Sequence, residues 1–188
     1  MLSDYGVVTH NGTNEEYGRV PKDQIGDDIT VGAGVYNFGV NAQDNVSVTM
    51  SITDIDGVEA ASSYDFNSQI YNADTGEYED VSGSMASDAN WYFNTTTAPL
   101  ETGLYSASFT ASSDGDGDGG EFSNDNSRTR EFAITDMEYS IDGIDVYTTD
   151  ASTTRLGTGS FTDASDGFIM MTYYDLSNSA DIAGARII

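Results

Sequence analysis

From Asn45 to Thr53 the chain alternates without a break, with Val46, Val48, Met50 and Ile52 on one side and Ser47, Thr49, Ser51 and Thr53 on the other. A period of two is the repeat of an extended strand with one side toward a core and the other toward water. The same pattern returns from Leu104 to Ala111, where Tyr105, Ala107, Phe109 and Ala111 share a side. It returns again in Asn90 to Thr97, with Trp91 and Phe93 together, and in Arg128 to Thr135, with Phe132 and Ile134 inward. Weaker segments of the same kind are Tyr5 to His10, Ile29 to Phe38, Val58 to Phe66, Gln69 to Tyr71 and Glu77 to Val81.

Turn signals separate these segments: Asn11-Gly12, Asp56-Gly57 and the stretch Asn72 to Gly76. Glycine and asparagine there supply the positive φ that tight hairpins require. A polar stretch between His10 and Asp28 is read as loop. No segment keeps apolar residues at helical spacing between caps. Many short alternating strands without helices predict an all-β, antiparallel immunoglobulin-like sandwich over residues 1–135.

After Asp136 the texture changes. Thr148 to Phe161 is rich in Thr, Ser and Gly, and Gly167 to Leu176 is apolar on both sides, the mark of a doubly covered strand. Residues 136–188 are therefore expected to form a second β-sandwich module, read as truncated. Both ends of the chain look cut, as in a fragment of a longer polypeptide.

Charge narrows the setting. Thirty-two Asp and Glu face six Lys and Arg, for a net charge of −26. Such a polyanion repels nucleic acids and anionic lipid, so neither is an expected partner. It suits a salt-rich medium, where counterions screen self-repulsion, and it suits Ca²⁺, which takes oxygen ligands. There is no cysteine, which excludes disulfides and thiolate chemistry. No apolar run is long enough to cross a membrane as a helix, so direct membrane insertion is not expected.

One segment has metal-ligand spacing. Asp114-Gly-Asp116-Gly-Asp118-Gly119-Gly120-Glu121 matches the first half of a calcium loop, with carboxylates at alternate positions before a glycine. Asp114, Asp116, Asp118 and Asp125, with the Gly120 carbonyl, are the expected ligands of one Ca²⁺. The competing reading is a solvated acidic hairpin. His10, the only histidine, sits beside a turn and is read as an exposed loop residue rather than a general base. Trp91 and Tyr92 suggest either a sugar-stacking platform or, for Trp91 beside Phe93, sandwich core; the shared side favours core. Asn11, Asn45 and Asn94 each open an N-x-Ser/Thr acceptor pattern.

Several stretches together resemble the immunoglobulin-like modules of large secreted cell-surface proteins of Bacteroidetes-type bacteria. Val35-Tyr-Asn-Phe-Gly-Val-Asn-Ala42 is similar to their N-x-G-x-N turn. Gly103 to Ser113, the acidic loop, and Asn124 to Asp136 are similar to their last hairpin. Gly157 to Phe161 and Phe168 to Tyr174 look like the opening of a following module. The resemblance implies an extracellular or cell-surface location and a non-catalytic spacer or adhesive role. The implied partners are other modules of the same polypeptide or extracellular polymers. Rival expectations are an accessory β domain of a secreted peptidase or polysaccharide-degrading hydrolase, and a subunit of an extracellular filament or surface layer.

Overall fold

The alternating segment around Met50 forms strand β4, Ser47–Asp54, and its apolar side is the buried one: Val48, Met50 and Ile52 are inaccessible while Ser47 is exposed. This computed structural model describes residues 2–8, 18–115, 126–140, 176 and 178–184. In chain order the strands are β1 Leu2–Val8, β2 Arg19–Pro21, β3 Ile29–Tyr36, β4, β5 Glu59–Ser63, β6 Asn67–Asn72, β7 Glu77–Asp80, β8 Asn90–Thr97, β9 Gly103–Ser112 and β10 Ser127–Thr135.

They build two five-stranded sheets. The first has the order β1-β3-β8-β6-β7 and the second the order β2-β10-β9-β4-β5. Val31, Ala33 and Val35 of β3 and Trp91 and Phe93 of β8 supply the core from the first sheet. Val48, Met50, Ile52, Tyr105, Ala107, Phe109, Phe132 and Ile134 supply it from the second. Tyr105 and Phe132 are register partners, with stacked rings 5.6 Å apart. Each such side chain contributes roughly 1.5–3 kcal/mol by leaving water. The architecture is the expected all-β, immunoglobulin-like sandwich, with Trp91 in its core.

The structure redraws four segments. The segment expected at Tyr5 to His10 is strand Leu2–Val8. The stretch read as loop before Asp28 carries β2 and a single 3₁₀ turn, Lys22–Gln24. It was illegible as a strand because three residues cannot display a period. β2 pairs with β10 in parallel, Val20 opposite Ile134, whereas every other strand pair among the described residues is antiparallel. The segment expected to run to Phe38 ends at Tyr36, because Asn37 leaves the ladder and is buried in its own network. The segment begun at Val58 shortens to β5, after a turn in which Asp54 Oδ1 accepts the amides of Asp56 and Val58 and Gly57 takes φ +78°.

Most of the expected second unit, including residues 141–175, lies outside the described residues. Of its described part, Ser140 exchanges two 3.0 Å backbone hydrogen bonds with Arg19. Asn178 donates its backbone amide to Gln24 Oε1 at 3.2 Å and its side-chain amide to the Asp23 carbonyl at 2.5 Å.

Candidate binding face and the acidic loop end

Strand alternation leaves each sheet an outer face, and the two faces carry different chemistry. On β8 the residues that alternate with buried Trp91 and Phe93 lie on the outer face, so Asn90, Tyr92 and Asn94 stand there half-buried. Register places Gln69 of β6 opposite Tyr92 and Asp80 of β7 opposite Gln69, and places Tyr71 opposite Tyr78. Tyr71 and Tyr78 are 49% and 40% exposed. Their rings lie 5.4 Å apart, and Tyr78 meets Tyr92 edge to face at 5.0 Å.

Amides tie this aromatic group together. Asn94 donates to Gln69 Oε1 at 2.8 Å, and Gln69 donates to Asp80 Oδ1 at 2.9 Å. Asn90 donates to the Tyr92 hydroxyl at 3.0 Å. Asn90 is also the register partner of Tyr36 on β3, whose ring meets Phe38 at 4.2 Å. The result is a band of rings and amides running from the Phe38 loop across β3, β8, β6 and β7. The Tyr36 hydroxyl donates to Asp88 Oδ1 at 3.0 Å. That bond, with the carboxylate's charge, pushes the Tyr36 pKa above its ordinary value.

The outer face of the second sheet is a grid of small hydroxyls. Ser47, Thr49, Ser51 and Thr53 stand opposite Ser112, Thr110, Ser108 and Ser106. Oxygen pairs bridge strands at 3.0 Å for Ser47 and Ser112, and at 3.1 Å for Ser108 with Thr129 and for Thr110 with Ser127.

One end of the sandwich gathers the 37–45 loop, the 83–89 segment and the start of the 113–126 connection. Asn37 organises it. Its Nδ2 lies 3.0, 3.3 and 3.1 Å from the carbonyls of Asn41, Met85 and Ala86, and its Oδ1 accepts the Gly39 amide at 2.9 Å. The Ser87 hydroxyl donates to the Gly39 carbonyl at 2.7 Å. This network holds Phe38 in solvent at 64% exposure.

Asp114 is the one expected metal ligand among the described residues. It is exposed, its amide donates to the Asp44 carbonyl at 3.0 Å, and its Oδ2 accepts the Asn45 amide at 2.6 Å. Asp116, Asp118, Gly120 and Asp125 lie outside the described residues, as does His10. Among the described residues no three His, Cys, Asp or Glu side chains converge as a metal-binding group. Of the acceptor patterns, Asn11 lies outside the described residues, Asn45 is exposed, and Asn94 is half-buried in the amide chain.

Sequence reading named Tyr92 but did not assemble the band, because Tyr71, Tyr78 and Gln69 lie on other strands and only register unites them. The available signal was the pair of tyrosines flanking the Asn72–Gly76 hairpin.

Comparison with protein families finds no match, and comparison with curated proteins finds none. Among solved structures, the chain is similar to the CARDB domain of a Pyrococcus furiosus protein crystallised in complex with di-metal ions. That likeness has a TM-score of 0.41 and 14% identity, and covers 70% of this chain and 88% of that one. It is also similar to a family 123 glycoside hydrolase from Clostridium perfringens, with a TM-score of 0.39 and 14% identity, over 63% of this chain and 23% of the hydrolase. No ligand or activity passes from either to this chain.

Proposed function

We propose that this chain is a non-catalytic binding module of a larger exported surface protein, serving as an adhesive segment or a spacer. The observation that carries the reading is the exposed pair Tyr71 and Tyr78 beside hydrogen-bonded amides on the outer face of the first sheet. Contiguous exposed rings with polar neighbours are characteristic of interaction surfaces, whereas singly scattered apolar residues are not. A charge of −26 directs that surface toward neutral or cationic partners, such as neighbouring modules or extracellular polymers, and away from nucleic acid and anionic lipid.

Calcium binding by the loop that starts at Asp114 belongs to the same proposal. Calorimetric titration of Ca²⁺ into chelator-treated protein checks it, and an absence of saturable heat removes it. The location is checked by labelling intact cells that carry the full-length polypeptide with an antibody raised against this chain. Labelling without permeabilisation is expected; labelling only after permeabilisation overturns the reading.

A further inference from the structure

We propose that the tyrosine–amide face of the first sheet binds a neutral polysaccharide, an inference that rests on the binding-module reading and gives it a ligand class. The chemistry of the face selects the class. Sugar rings present C–H groups on their faces and hydroxyls around their rims. Tyr71 and Tyr78, braced by Tyr92, offer ring surface to the former. Gln69 and Asp80 offer amide and carboxylate groups to the latter beside those rings.

The hydrogen bonds from Asn94 to Gln69 and from Gln69 to Asp80 orient these groups before a ligand arrives. A ligand that meets pre-oriented groups loses less free energy to ordering them. Charge then discriminates. None of the six Lys and Arg of the chain lies on β6, β7 or β8, and Asp80 lies on the face itself, so polyuronates and sulfated chains are repelled. A cationic peptide is attracted to the carboxylates, but that attraction is screened in molar salt. Ring contacts and hydrogen bonds to a neutral chain persist there. The second sheet provides an internal control, since the outward positions of β4 from Ser47 to Thr53 and of β9 from Ser106 to Ser112 carry serine and threonine where the first sheet carries tyrosine.

The test is affinity electrophoresis and calorimetry of the full chain in 1 M NaCl against soluble β-glucan, xylan and galactomannan. Polygalacturonate and a lysine-rich peptide serve as further arms. Variants are Tyr71→Ala, Tyr78→Ala and, as a control, Ser108→Ala, each checked by thermal melting. Because both tyrosines are exposed, Tyr78→Phe serves as a second probe that keeps the ring if an alanine variant melts early.

Saturable binding of at least one neutral polysaccharide is expected, weakened at least tenfold by Tyr71→Ala or Tyr78→Ala and less than twofold by Ser108→Ala and Tyr78→Phe. The proposal is overturned if no neutral polysaccharide binds. It is equally overturned if binding survives both alanine substitutions, or if only the peptide or the polyuronate binds. Such a failure, alongside surface labelling of intact cells, removes the ligand class and leaves the module reading standing.

Discussion

The two outer faces of this sandwich are built on the same rule and dressed in opposite ways. In β3, β4, β8 and β9 both sheets turn alternate side chains inward to the core. Outside, the first sheet carries Tyr71, Tyr78 and Tyr92 among amides, while the second carries serine and threonine in bridged pairs. Packing constrains the inner positions and leaves the outer ones open, so a difference between outer faces reflects what each face meets. The hydroxyl grid is cross-linked by its own pairs and by Ser51 and Ser62 donating to the Glu59 carboxylate. The tyrosine band leaves the rings of Tyr71 and Tyr78 exposed.

The comparison is broken most severely from the inside. Phe109 of β9 is fully buried in the core cluster to which both sheets contribute. Phe109→Ala is expected to cost about 3–5 kcal/mol, read as a lower urea midpoint, with both faces lost in one transition. Next is Asn37, whose amide serves three carbonyls at the end of the first sheet. Asn37→Ala is expected to cost about 1–3 kcal/mol by leaving those carbonyls without that donor. Limited proteolysis should then cut first in the 37–45 loop rather than in the hydroxyl-bearing strands.

Salt acts on both sheets through the net charge of −26. Raising NaCl from low to molar concentration is expected to add about 1 kcal/mol, or about 2–4 °C in Tm, as repulsion is screened. A Tm independent of salt would remove charge repulsion from the account.

Alkaline pH separates one tyrosine on each sheet. Tyr36 has its pKa raised by its hydrogen bond to Asp88, and Tyr105 has its pKa raised by burial and then by the charges of Glu101 and Asp54. The folded state therefore favours the protonated phenol. That stability is present below the ordinary value of 10.0 and is lost as pH rises through each raised folded value. Tyr105→Phe should flatten the decline in Tm above that pH, and Tyr36→Phe should flatten it less, because Tyr36 is solvent-screened. The smallest effect is expected from Ser108→Ala on the hydroxyl grid, within about 0.5 kcal/mol by denaturant titration.

The inner faces were legible in the sequence because burial imposes a period. Val48, Met50, Ile52, Trp91, Phe93, Phe109 and Phe132 all announce their side by spacing alone. Val20, Ile25 and Met85 are equally buried and went unread, since they sit in segments too short or irregular to show a repeat. Arg128 and Arg130 occupy the same side of β10 as Phe132 and Ile134, half-buried, where alternation alone would have asked for apolar residues. The tyrosine band was legible only in part. Its members lie on three strands, and their meeting depends on a register that no single segment states. The Asp114 loop was legible as spacing, and beyond Gly115 its residues up to Asp125 lie outside the described part of the chain.

The parallel pairing of β2 with β10 has a mechanical consequence. Arg19, Val20 and Pro21 lie beside Ala133, Ile134 and Thr135, and the Ala133 amide donates to the Gly18 carbonyl at 2.9 Å. These strands carry the chain into and out of the second sheet, and they run in the same direction. A pull that enters at Arg19 and leaves at Thr135 slides one strand along the other. The bonds between them are then loaded together in shear, whereas an antiparallel hairpin pulled from its open end releases its bonds one at a time. A force applied between Arg19 and Thr135 is therefore opposed by all of these bonds at once.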